Sequence, residues 1–333
     1  MIDPSRIGHL PAASDSHEPH VTIDVSQIPR AVELLQSMSC PTEEAVAGWK
    51  ECVPPCLLSL SAALVTQYLC AVVCIDFRHW VFAQEGGGTQ TWTCQGHRGS
   101  HAMTTLCRLA VEQLGVHWYR TEWMAQEASV CALQHMFCDM PALEERMIVL
   151  RGVGGALMEQ YGPAGFAALL DKPNKRLFTT DGTGFIERLC RLHERYRDDA
   201  YRDVPILKLS QLSALALLGV LGPNTFEDAH HLTLCADYQI PRTLRALGVL
   251  RYSDALAAKV DAMQPLEVGG SEEGEIRCAT VQCGRLILEE FHRRKEEVGF
   301  MTLSSLDYLL WSAARVGRVQ GLRPHHVAVT IMY

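Results

Sequence analysis

The chain has 333 residues, a formal charge of −8, 48% hydrophobic and 20% charged residues, which is apolar material enough for one large core or two modest ones and excludes wholesale disorder. The acidic balance works against tight binding of a polymeric polyanion, because such binding is driven by counterion release onto Lys and Arg, while a small or singly phosphorylated ligand stays allowed. Thirteen cysteines, an odd number in a long chain that opens on polar MIDPSRIGHLPAASDSHEPH with no apolar signal core, point to a reduced protein of the cytosol.

Residues 1–22 carry Pro, Ser, His and Asp without hydrophobic periodicity and read as a mobile or loosely packed arm. In IPRAVELLQSM, Pro29 sits near a first turn and Ala31, Leu34, Leu35 and Met38 share one helical face; AVAGWKECV continues in that style. The uncharged run from Val53 to Ile75 approaches the roughly 20 residues of a membrane span. Ser59, Ser61, Thr66 and Gln67 interrupt it, Pro54 and Pro55 open it, and Val72, Val73 and Ile75 end it in β-branched residues. It is read as a buried helix passing into a buried strand. Two strands are expected in AVVCIDFRHWVFA and TQTWTCQG, joined by a turn at Gly86, Gly87 and Gly88.

Helices follow at HAMTTLCRLAVEQLG, EWMAQEASVCALQHMF and PALEERMIVLRGVGGALMEQYG, the last opened by Pro141 and acidic Glu144 and Glu145. Residues 171–205 are polar and turn-rich apart from GFIERLCRL, and mark a boundary or a ligand-facing connection. Beyond them LKLSQLSALALLGVLG, PRTLRALGVL and SDALAAKVDAM read as short helices, and EIRCATVQCGRLILEEFHRR and LSSLDYLLWSAARV as the clearest amphipathic ones. In the last helix Leu303, Leu306, Leu310 and Ala313 line the apolar face. The expected fold is mainly α with a small antiparallel β-sheet in the first half, either one domain over residues 23–333 or two divided near 171–205, and no internal repeat.

Common catalytic signatures are missing: there is no GxSxG, no P-loop and no HExxH. The cysteine spacings contain no CxxC, which disfavours a structural zinc site. Gly152-Val153-Gly154-Gly155 is tempting as a phosphate loop, but within a helical pattern small residues more often permit close helix packing. Asp228, His230 and His231 suggest a metal set, against which adjacent histidines diverge on a helix, so a solvated polar face is preferred.

Asp237 follows the apolar run Leu232-Thr233-Leu234 and precedes Pro241, which starts a helix. It is either an N-terminal capping acid or a carboxylate kept ionised by the helix dipole to stabilise or attack a developing cation. In a strand, Asp76, Arg78 and Trp80 would share one face and Phe77 and His79 the other. An Asp beside aromatic rings suits the donor edge of a flat heterocycle, although Phe77 and Trp80 are by default core residues. Lys208, in the apolar context VPILK, must either snorkel or pair with an anion such as a phosphate or an Asp.

The string ADYQIPRTLRALGVLRYSDALAAKV, with GEIRCATVQC, LSSLDYLLW and the closing tyrosine, resembles the queuosine salvage family of queuosine 5′-monophosphate N-glycosylase/hydrolases. Weaker echoes occur at IDFRHW, MPALEER and YRDVPILKLSQ. The resemblance implies a helical fold similar to helix-hairpin-helix DNA glycosylases, and cleavage of the N-glycosidic bond of queuosine 5′-monophosphate to queuine and ribose 5-phosphate. It implies no cofactor, a small-molecule partner, and neither nucleic-acid polymer nor membrane. Carried onto this chain, it makes Asp237 the catalytic Asp, a nucleophile or a stabiliser of the developing cation, Lys208 a ligand-binding residue, and Asp76, Phe77 and Trp80 base contacts; Tyr238 and Arg242 join as substrate-binding residues. Lys208, Arg242 or Arg277 would neutralise the 5′-phosphate, unless Arg277 holds Glu275 or another structural acid. The chain departs from the family's usual pattern at Gln239 and Asp76. A different class, a non-catalytic binder of queuine or its nucleotide, would keep the cleft without depending on Asp237.

Overall fold

The computed structural model describes residues 2–9, 18–38, 48–83, 87–170, 175–298 and 301–333. Residues 10–17 of the expected arm, 45–47 in AVAGWKECV, Gly86 of the glycine turn and 171–174 of the polar stretch lie outside the described residues. The helices are α1 (Ile28–Ser37), α2 (Pro55–Leu58), α3 (Ala62–Cys74), α4 (Ser100–Glu112), α5 (Val130–Phe137), α6 (Leu143–Tyr161), α7 (Phe185–Leu192), α8 (Lys208–Leu221), α9 (Ile240–Ala246), α10 (Asp254–Asp261), α11 (Ser271–Arg293) and α12 (Leu303–Val316), with a short turn Lys295–Val298 before the last. Strands β1 (Val21–Ile23), β2 (Trp80–Phe82), β3 (Thr89–Thr91), β4 (Thr93–Cys94), β5 (His97–Arg98) and β6 (Leu250–Tyr252) complete the set.

The mainly helical expectation holds, but the small sheet is three two-stranded antiparallel ribbons, β1–β6, β2–β3 and β4–β5. Only the latter two come from the stretch expected to form strands. In the first, Val21 faces Tyr252 and Ile23 faces Leu250, so residues 21–23 are sewn to the break between two segments read from sequence as helices. Gly248, at φ 77°, ends α9 and lets the chain turn into β6.

The strand expected over residues 71–83 is corrected. The helix α3 runs on through Val72, Val73 and Cys74, and only Trp80–Phe82 is extended. Every residue from Val65 to Cys74 is buried, and each fully buried Val or Leu contributes about 1.5–3 kcal/mol. That outweighs the few tenths of a kcal/mol by which a β-branched residue disfavours helix. No helix among the described residues is long and apolar enough to cross a membrane. Likewise EWMAQEASVCALQHMF is not one helix: a π-helical turn Trp123–Glu127 stops at Ala128, and Ser129 caps α5 through the amide of Ala132.

Two large hydrophobic clusters and a small third one, Tyr201, Val204, Ile206, Ala236, Cys278 and Val281, organise the molecule. The larger gathers α3, α4, α6, α7 and α8; the second gathers α1, α9, α11 and α12. The glycine run lies inside α6, where a Cβ on Gly154 would stand 2.6 Å from the backbone nitrogen of Ala125; small residues there serve close packing. The loosely packed arm is not seen over residues 2–9, since Ile7 is fully buried, the amide of Gly8 donates to Pro205, and Arg285 donates to the carbonyl of Ile7. Asp228 is not on a solvated face either: it is buried and accepts the amides of Leu177 and Phe178 at 2.7 and 3.1 Å. His230 and His231 are exposed, as expected for a polar face.

Candidate active site

The extended segment after Leu232 crosses the seam between the clusters. Leu232 and Cys235 pack into the larger one, Leu234 and Ile240 into the other, so Asp237 is carried to where they meet. The segment is fixed by polar contacts from three helices. Gln211 of α8 accepts the amide of Thr233 at 2.7 Å and donates to its hydroxyl at 3.0 Å. Asp307 of α12 accepts the amide of Cys235 at 2.7 Å, and Arg277 of α11 donates through Nε to the carbonyl of Ala236 at 3.0 Å. Asp237 then bends the chain into α9, its Oδ1 accepting the amides of Gln239 and Ile240 at 2.7 and 2.9 Å. Oδ2 takes no hydrogen bond among the described residues.

Beside this segment lies a cavity of about 640 Å³, lined by the end of α3, by α4, α8 and α12, and by residues 48–58. That volume suits a mononucleotide-sized ligand. Asp237, Asp307, Asp76, Lys208, His79 and Tyr238 converge on it. Asp237 and Asp307 are only 9% and 8% exposed. Burial pushes the Asp237 carboxyl above its ordinary range, against the opposing pull of Lys208 and the two amides. Burial, reinforced by the charge of Asp237, drives Asp307 up to about 7 despite its bond from Cys235.

Lys208 and Asp76 resolve each other's burial. Nζ of Lys208 donates to Oδ2 of Asp76 at 2.7 Å, and His79 lies 2.9 Å from the other oxygen. Burial alone would raise the Asp76 carboxyl, but Lys208 and His79 overrule it and hold it well below the usual range. Burial keeps His79 below its ordinary value in spite of Asp76. Behind them, Asp198 accepts the backbone amide of Lys208 at 3.0 Å and a two-pronged contact from Arg277 at 2.7 Å on each nitrogen. Arg277 also reaches Glu273 at 3.4 Å. One buried guanidinium thereby ties the start of α8 to the turn that carries Asp237.

Comparison with known proteins bears on what this cavity holds. A family model described as queuosine salvage protein matches residues 59–333. The chain belongs to the queuosine salvage family. It is 26% identical to the queuosine 5′-phosphate N-glycosylase/hydrolase of Bos taurus over 329 residues, 92% of each chain. To the protein of that name from Nematostella vectensis it is 26% identical over 348 aligned positions, 96% of this chain and 95% of the other. The protein of that name from Mus musculus is 31% identical over 206 residues, 58% of this chain and 59% of that one.

In this member of the queuosine salvage family, five of the seven residues singled out from sequence line the cavity: Asp237, Lys208, Asp76, Phe77 and Tyr238. Trp80 and Arg242 do not. Trp80 is buried against Phe82 and His325, with ring centroids at 5.3 and 6.3 Å, and Arg242 donates to the carbonyl of Arg323. The strand alternation fails because Arg78, at φ 42°, breaks the extended backbone, so Asp76 meets His79 instead of sharing a face with Trp80. Two buried guanidinium groups lie over the Phe77 ring, Arg146 at 4.4 Å and Arg195 at 4.9 Å from its centroid. Arg277 holds structural acids, Asp198 and Glu273; Glu275 instead accepts the amides of His20 and Val21. Asp307, His79 and Asp198 were not singled out from sequence as site residues.

Proposed function

We propose that the chain hydrolyses the N-glycosidic bond of queuosine 5′-monophosphate, releasing queuine and ribose 5-phosphate and so feeding queuine back to tRNA modification. The observation that carries this reading is the pair of buried carboxylates, Asp237 and Asp307, lining one nucleotide-sized cavity from two elements that the bond from Cys235 to Asp307 ties together. The names of the full-length relatives support the substrate.

Queuine is a 7-deazaguanine and lacks the N7 whose protonation helps a purine leave, so assistance falls on the sugar. As the bond from C1′ to the base breaks, positive charge develops on the ribose, and ionised Oδ2 of Asp237 stands against it. Oδ1, committed to two amides, fixes the direction of that oxygen. Asp307, whose proton is retained close to neutrality, supplies a proton to the departing base. Water provides hydroxide to C1′, directly or after collapse onto Oδ2, and its remaining proton restores Asp307; the sum is nucleotide plus water to base plus sugar phosphate. The paired Asp76 and Lys208 present one acceptor and one donor beside the Phe77 ring and recognise polar edges of the substrate. All twelve cysteines among the described residues are free, in keeping with a reducing cytoplasm. Incubating the protein with queuosine 5′-monophosphate and following free queuine and ribose 5-phosphate by mass spectrometry tests the reading: equimolar appearance of both is expected, and intact nucleotide after prolonged incubation contradicts it.

A further inference from the structure

The three cations that sequence offers for the 5′-phosphate are unsuited to it: Lys208 is paired with Asp76, Arg277 with Asp198 and Glu273, and Arg242 lies off the cavity. The cavity itself is electrically two-ended. Its buried wall sets Asp76, Asp237 and Asp307 against the single cation Lys208, whereas its open rim sets Lys50, Arg108 and Arg315 against the single acid Glu51. His97 and His101 join that rim, their rings edge to face at 4.7 Å.

We infer that Arg108 and Arg315, with His97 and His101 beside them, form the subsite for the 5′-phosphate, and that this rim orients the nucleotide with its base toward the buried acids. The inference rests on the glycosylase reading and assigns what that reading leaves open. Two helices set the spacing. On α12, Asp307, Trp311 and Arg315 recur every four residues on one face, so Arg315 stands roughly 12 Å along the helix from Asp307. Helical side chains lean toward the N-terminus, which brings Arg315 back over the Trp311 ring, 4.8 Å from its centroid. On α4, His101, Thr104, Thr105 and Arg108 line the facing wall with the same periodicity. Arg315 has no carboxylate partner among the described residues, and Arg108 has only Glu112, at 3.5 Å with both side chains partly exposed. Burial, then the charges of Arg315, His97 and Arg108, with Glu51 opposing, lower the basicity of His101. A 5′-phosphate carries about −1.5 to −2 at pH 7, while the secondary ammonium of the queuine side chain suits the acidic wall, so both ends of the substrate find opposite charge.

The test uses ribose 5-phosphate and inorganic phosphate as probes on the whole chain. Titration calorimetry should show ribose 5-phosphate binding to the native protein and weakening by roughly 10- to 100-fold for each of Arg108→Gln and Arg315→Gln, with partial recovery in Arg315→Lys. The preference for queuosine 5′-monophosphate over queuosine nucleoside, measured as the ratio of kcat/KM values, should fall by a similar factor. Independently of any variant, inorganic phosphate should shift the ring resonances of His97 and His101 in the native protein. Unaltered ribose 5-phosphate affinity in both Gln variants, histidine resonances that phosphate does not move, or failure of the native protein to bind either probe would each overturn the subsite. Failure of the glycosylase reading looks different: ribose 5-phosphate binds but no queuine is released.

Discussion

At Asp237, Oδ1 takes the amides of the turn while Oδ2 takes no hydrogen bond among the described residues, so the capping use that sequence leaves open is met by one oxygen and the other stays uncommitted. The proposed chemistry needs Asp237 ionised and Asp307 protonated. Since burial raises Asp237 and carries Asp307 to about 7, kcat/KM should rise through an acid limb above the ordinary carboxylate range and fall through an alkaline limb near pH 7. Asp307→Asn should abolish the alkaline limb and leave a low rate that keeps only the acid limb; an unchanged alkaline limb in that variant would remove Asp307 from the mechanism. The same shift fixes a stability trend. A carboxyl whose folded pKa exceeds its unfolded value binds its proton more tightly when folded, so stability drops as pH rises from about 4 to about 7. Asp307→Asn is therefore expected to melt above the native protein at pH 8, with the gap closing toward pH 4; thermal melts at the two pH values decide it. Asp237 stands out in sequence because an acid between an apolar run and a helix-starting proline is conspicuous, but there it reads equally as a cap, and only the family resemblance makes it catalytic. Asp307 was not, because an acid between Leu306 and Tyr308 in an amphipathic helix reads as a polar face. Its burial, its place on the cavity wall and its bond to Cys235, 72 residues away, reveal it.

At the scale of elements, periodicity located the helices well and failed where burial is complete. Amphipathic α11 and α12 lie where their apolar faces predict. In α3, buried on nearly all sides, there is no polar face to report a period, and the β-branched end reads as strand. The glycine-rich part of α6 predicts its own fragility: Gly154→Ala forces a Cβ into the backbone at Ala125 and should cost about 1–3 kcal/mol, visible as a lowered midpoint in urea without lost secondary structure. The start of α8 and the Asp237 turn depend on one cation. Arg277→Met would leave Asp198 and Glu273 buried without their partner and is expected to destabilise by about 3–5 kcal/mol. A change below about 1 kcal/mol would mean that this network is not what holds the turn.

Across the whole molecule, two cores meet along the segment that carries Asp237, and the active site proposed here is the seam between them. Residues far apart in the chain supply it, Lys208 pairing with Asp76 across 132 positions, and such pairings leave no local trace in a single sequence. The net charge of −8 suits a mononucleotide and disfavours a polymer, so fluorescence anisotropy with labelled tRNA should show no binding tighter than about 1 µM at physiological salt. The most direct trial of the account compares the native chain with Asp237→Asn, both shown to be folded, by following queuine released from queuosine 5′-monophosphate and, in parallel, nucleotide binding. The account predicts release by the native chain and its loss in the variant with binding retained. Release at an undiminished rate by Asp237→Asn, or tight binding with no release by the native chain, would contradict it.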